Sequence, residues 1–150
     1  MRLYIILAIL AGVAWGAGGY FEKMGLHQMR IPSIVGITIR TLVALAVLAL
    51  ISIPAWKSVT GQIQLRYLLM IILGGGVVAG SLGMWSFYSA LSRSENLGIT
   101  LATAFACAPL AGTVVGLVRR DQPFDLKVGV GLAALIAGLV MLQLSQSHPK

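Results

Sequence analysis

The chain has 150 residues, of which 58% are hydrophobic and 10% charged. Soluble domains carry about 25% charged residues, so this composition excludes a water-covered surface and indicates an integral membrane protein built as one compact unit. The formal charge is +7, but the cations are scattered between apolar runs without the clustering or aromatic interleaving that nucleic acid requires, and no nucleic-acid partner is expected.

The apolar runs are long and unbroken, which excludes the ten-residue alternating strands of a membrane barrel and predicts an all-α membrane protein. Five transmembrane helices are predicted, over residues 3–21, 31–53, 67–91, 97–118 and 126–144. Each has the roughly 20 residues needed to cross about 30 Å of hydrocarbon. The first follows Arg2 and ends at Tyr20 and Phe21; it is longer than the apolar core of a signal peptide and is read as a retained span. The segment "EKMGLHQMRIP" separates it from the second span, which carries Arg40 in an otherwise apolar run. After the break "PAWKSVTGQIQLR", the third span contains "LGGGVVAGSLG", residues 73–83. Glycine costs about 1 kcal/mol relative to alanine in a helix interior, so this stretch is expected either to pack closely or to bend and line a cavity. The fourth span, after "SRSEN", contains Pro109, which removes one backbone hydrogen bond and is expected to kink the helix. It also holds Cys107, the single cysteine, which excludes an intramolecular disulfide and is read as a packing residue. The loop "RRDQPFD" leads to the fifth span and a polar tail.

Small residues recur four apart at Gly12/Gly16, Gly76/Gly80, Gly112/Gly116 and Ala134/Gly138. In lipid such pairs let helix backbones approach closely, and their repetition predicts a tightly packed bundle or a subunit interface. Five spans put the termini on opposite sides. One face then holds Arg2, Lys57, Arg66, Arg119, Arg120 and Lys127, and the other Lys23, Arg30, Arg93 and Lys150. Six cations against four orient the chain only weakly. That balance is consistent with weak single insertion or with dual insertion and pairing with an inverted copy.

These residues resemble the EamA-domain family of the drug/metabolite transporter superfamily. "LAGVAWGAGGYFEKMGL" is similar to its opening helix, with the Trp15-Gly16 pair, and "TIRTLVALAVL" to its second helix, arginine included. "LGGGVVAGSLGMWSFYSALSRSENLGITLATAFACAPLAGTVVG" resembles its third and fourth helices, and "GLAALIAGLVML" its last. The resemblance implies half of a ten-helix inverted-repeat transporter fold, since most members carry two such domains and this chain carries one. It further implies a multi-pass protein of the cell (inner) membrane that exports a small-molecule substrate by alternating access as an antiparallel homodimer in the lipid bilayer. The alternatives are one half of a heterodimeric transporter and a non-transporting membrane subunit of a lipid-modifying or assembly complex. Family members often carry a glutamate shortly after the fourth helix; here the loop reads "VRRDQP", with Asp121 the nearest acid.

Among the expected spans only Arg40 places a charge in the interior, with Glu22 just past the end of the first and Glu95, Asp121 and Asp125 in loops. His27 and His148 are read as isolated loop residues. This leaves no constellation for hydrolysis, metal binding or a cofactor, and no enzyme is expected. Arg40 has three readings: snorkelling to the nearer interface, about nine residues away; an ion pair with Glu22; or a cation facing an anionic or zwitterionic ligand. Trp15, Trp85 and Tyr88 are the other candidate substrate-binding residues, each combining apolar area with a polar handle. Gly76, Gly80 and Pro109 are candidates for gating or packing.

Overall fold

A computed structural model describes residues 3–59, 61, 63–120 and 125–145. Arg2, Asp121, His148, Lys150 and the Lys57 side chain, all named in the sequence reading, lie outside the described residues. All regular structure among the described residues is helical: α1 (Leu3–Met29), α2 (Ser33–Val59), α3 (Leu65–Met70), a π-helix (Ile71–Gly83), α4 (Met84–Arg93), α5 (Leu97–Val118) and α6 (Leu126–Leu144). α3, the π-helix and α4 run on as one rod, so five helices, Leu3–Met29, Ser33–Trp56, Leu65–Arg93, Leu97–Val118 and Leu126–Leu144, are long and apolar enough to cross a membrane.

The described residues form two compact units, one ending at Arg93 and one starting at Ser94. In the first, α4 packs against both α1 and α2, which also meet each other. Its buried residues are Gly19, Leu26, Ile37, Tyr88 and Leu91. Leu26, Ile37, Tyr88 and Leu91 lie toward the end where α1 finishes, α2 begins and α4 finishes. Elsewhere the apolar side chains face outward, as lipid requires: Leu7, Leu42 and Leu50 are all exposed.

α1 and α2 are longer than their apolar runs. α1 continues through "EKMGLHQ" to Met29, because Glu, Lys, Met, Leu and Gln are good helix formers and carry the helix past a single glycine once it is nucleated. At about 1.5 Å per residue its 27 residues reach about 40 Å, enough to pass the hydrocarbon and enter the interface. Two sequence expectations change as a result. Glu22 lies within α1, seven residues before Met29, and is no longer beyond a span's end. His27 is helical too, and its Nε2 is 3.2 Å from the Leu91 carbonyl oxygen, bonding α1 to α4. Ser33 and Ser92 hydroxyls, 3.0 Å apart, join α2 to α4 at the same end. α2 passes through Pro54 to Val59, where Trp56 Nε1 donates to Ser52 Oγ at 3.0 Å. The turn between α1 and α2 places Arg30 in the left-handed region, φ 52°, where glycine usually ends a helix.

The glycine-rich stretch stays helical but winds more widely. Its turns close from residue i to i−5, and Ser81 Oγ follows the same spacing, donating to the Gly76 carbonyl at 3.1 Å. Five glycines in 13 residues weaken the competing α-helix. A Cβ at Gly80 would stand 2.9 Å from the Gly75 carbonyl oxygen, whereas one at Gly12, Gly16 or Gly76 meets nothing within 4 Å.

In the second unit α5 packs on α6. Asn96 caps α5 by accepting from the Ile99 amide, and Asp125 caps α6 by accepting from the Lys127 amide. α5 is continuous through Pro109. Between the two helices lies an apolar cavity of about 490 Å³, lined in part by Ala102, Phe105, Ala106, Ala134 and Gly138.

Candidate functional site

Two charged residues inside the spans of the first unit, Glu22 and Arg40, converge on one place. α1 and α2 run antiparallel through a short turn. Glu22 stands seven residues before the end of α1 and Arg40 seven after the start of α2, so the two reach the same depth, about 10 Å along each helix. There Arg40 Nε meets Glu22 Oε1 at 2.7 Å. This distance is that of a charge-assisted hydrogen bond. Of the three readings of Arg40, the ion pair is the one formed.

Tyr88 of α4 completes the group. Its side chain is 2% exposed and borders the same cavity as Glu22 and Arg40. Gly36 of α2 faces this group. A Cβ there would lie 2.6 Å from Leu26 Cδ2, which would have to shift, and 3.4 Å from Tyr88 Cε1, in contact with the ring. The site therefore draws on three helices, with close packing at Gly36 and a buried ring.

A cavity of about 280 Å³ opens over the group. Glu22, Arg40 and Tyr88 line it with the apolar Phe21, Leu26 and Ile39. The Arg40 side chain is 37% exposed and that of Glu22 22%, so the pair is reachable from the cavity. A guanidinium has five N–H donors in a planar fork, and one carboxylate takes at most two. At least three donors of Arg40 thus remain for another acceptor. An ion pair inside a span lowers the cost of placing either charge there, and such residues usually mark a ligand or ion pathway.

The structure brings Arg40 and Tyr88 together and adds Glu22. Trp15 and Trp85 are 57% and 52% exposed and do not line this cavity. Gly80 lines a separate cavity of about 280 Å³ between α2 and the π-helix, beside Thr38, Thr41 and Ser81. Pro109 lies in α5, in the other unit. Glu22 is legible in the sequence as a possible partner of Arg40, but the shared cavity with Tyr88 and the packing at Gly36 are not. A short turn between two helices, with an acid and a base equally far from it, is the local signal that would have favoured the pair.

No curated protein and no solved structure matches the chain. The model of the EamA-like transporter family matches residues 2–144, nearly the whole length. With five membrane-length helices and an ion pair lining a cavity inside them, the protein is a multi-pass membrane protein of transporter type, and it belongs to the EamA-like transporter family.

Proposed function

We propose that the protein exports a small metabolite across the cell inner membrane by alternating access, working as an antiparallel homodimer of five-helix subunits. The observation that carries this reading is the reachable Glu22–Arg40 pair in a cavity within membrane-length helices. A charge pair so placed is costly to keep in a purely structural bundle and useful in a substrate path. Pairing of two copies is supported by the open glycine positions Gly12, Gly16 and Gly76, which present bare backbone to another helix. The six-to-four distribution of cations supports insertion in both directions. In this reading Arg40 and Tyr88 hold the substrate, Trp15 and Trp85 line its route, and Gly76, Gly80 and Pro109 serve helix packing and bending.

The test is transport by the purified protein in liposomes against a panel of metabolites, comparing wild type with Arg40→Gln. Substrate-dependent flux in wild type, abolished in a normally folded Arg40→Gln protein, is expected. Absence of flux for every compound, or full flux in Arg40→Gln, refutes the assignment.

A further inference from the structure

The end of the first unit where α1 finishes, α2 begins and α4 finishes carries two exposed arginines. Arg30 follows the last residue of α1, and Arg93 is the last residue of α4. The bonds that tie this end together set both at one level. His27 Nε2 is 3.2 Å from the Leu91 carbonyl oxygen, and the Ser33 and Ser92 hydroxyls are 3.0 Å apart. Arg30 lies three residues from both His27 and Ser33, and Arg93 directly follows Ser92. Among the described residues neither arginine is in an ion pair. Lys23, two turns before Arg30 on the same side of α1, adds positive charge. Glu22 is held by Arg40, and Glu95 belongs to the second unit.

Arg30 occupies its place at a backbone cost. Its φ of 52° is in the left-handed region, where a Cβ crowds the following carbonyl oxygen and glycine is the usual residue. Two helix C-termini meet at this end, and their carbonyls favour a nearby cation. Arg93, in the last turn of α4 with ordinary helical geometry, meets that need without such a cost. The pattern recurs: among the described residues the two non-glycine residues with positive φ are Arg30, just past α1, and Arg120, just past α5. The turn would form more easily with glycine, so what Arg30 supplies is its side chain, at the level where the span leaves the hydrocarbon. Below it the surface is apolar. Met29 and Ile31, on either side of Arg30, line the mouth of the cavity between α1 and α2, with Phe21 deeper in. Met29 is 61% and Phe21 70% exposed.

We propose that Arg30 and Arg93 form the headgroup site of one anionic phospholipid, whose phosphate lies between the two guanidinium groups and whose acyl chain runs down Met29 and Phe21 at the cavity mouth. The phosphodiester offers two oxygens to the planar forks, and the apolar strip beneath receives the chain. This inference goes beyond the transport reading and does not rest on it, since its readout contains no flux.

The experiment takes the full chain in detergent micelles doped with equal amounts of phosphatidylglycerol and phosphatidylcholine, and counts bound lipid by native mass spectrometry. A cation at the membrane surface favours an anionic lipid by on the order of fivefold, so two give a preference of roughly 25-fold. One tightly held phosphatidylglycerol per wild-type chain is expected. Arg30→Gly and Arg93→Gln should each lower the preference about fivefold. Glycine adopts the left-handed turn freely, so Arg30→Gly removes the guanidinium and keeps the fold. Arg66→Gln, at the far end of the rod that finishes at Arg93, should retain the lipid as wild type does. Equal retention of both lipids by wild type overturns the proposal whether or not any variant folds. So does an Arg66→Gln loss as large as that of Arg30→Gly, which would mean diffuse surface charge. Displacement of the phosphatidylglycerol by excess inorganic phosphate would assign the arginines to a free anion and overturn the lipid assignment.

Discussion

Gly36→Ala is the substitution whose outcome the packing determines most directly. The new methyl would stand 2.6 Å from Leu26 Cδ2, and 3.4 and 3.5 Å from two carbons of the Tyr88 ring. Leu26 and Tyr88 are 5% and 2% exposed, and the end of the Leu26 side chain must shift to admit the methyl. Overpacking of this kind costs about 1–3 kcal/mol. Alanine returns about 1 kcal/mol over glycine in a helix, so the net change is a loss of roughly 0–2 kcal/mol. Gly18→Ala is the internal comparison, because a Cβ there meets nothing within 4 Å and only the helical gain of up to about 1 kcal/mol remains. The two variants should therefore differ by about 1–3 kcal/mol, or several degrees of melting temperature at roughly 2–4 °C per kcal/mol. Thermal unfolding in detergent, followed as loss of the monodisperse peak in size-exclusion chromatography, reads the ranking. If Gly36→Ala melts at or above Gly18→Ala, the close packing of Leu26 and Tyr88 on Gly36 is wrong.

Three further outcomes are expected. In a double-mutant cycle of Glu22→Gln and Arg40→Gln, each single variant should lower folded yield and melting temperature, and the double should lose less than the sum, with a coupling of about 0.5–3 kcal/mol; additive losses would show that the 2.7 Å contact carries no stability. Gly80→Ala should destabilise the isolated chain, because its methyl meets the Gly75 carbonyl at 2.9 Å, whereas Gly76→Leu should leave the stability within about 0.5 kcal/mol of wild type and lower the dimer fraction; cross-linking in detergent separates the two effects, and an unchanged dimer fraction would assign the Gly76 face to lipid. Reporters fused to the C-terminus and active on opposite sides of the membrane should both give signal, and Arg119→Gln with Arg120→Gln should shift their ratio; strong signal from one side alone would rule out dual insertion.

Apolar length is a local property, and it is enough to predict an all-α membrane protein with five spans. Runs of about 20 residues with almost no charge have one solution in a bilayer without open strand edges. The order of short motifs along the chain likewise pointed to the transporter family that matches residues 2–144. The partner of Arg40 was a different matter. Three roles for this side chain were compatible with the same string of letters, because each depends on where α1 ends and how it is turned against α2. The helix runs past its last apolar residues to Met29, and this brings Glu22 into the span at the depth of Arg40. Hydropathy has no term for that extension, since polar helix formers continue a helix as readily as apolar ones. Tyr88 joins the cavity of the pair from 48 residues further along the chain, beside Gly36, where a Cβ would meet Leu26 at 2.6 Å. A glycine at such a contact looks, in sequence, like the many that meet nothing, as Gly12 and Gly76 do. The winding of the glycine-rich stretch was equally hidden: low α-helix propensity was legible, but whether it bends, unwinds or widens is decided by which carbonyl each amide reaches, and here the turns close five residues back. Composition thus determined that the chain crosses a membrane and how often, while the charge pair that gives its cavity chemistry came from the relative rotation and length of three helices.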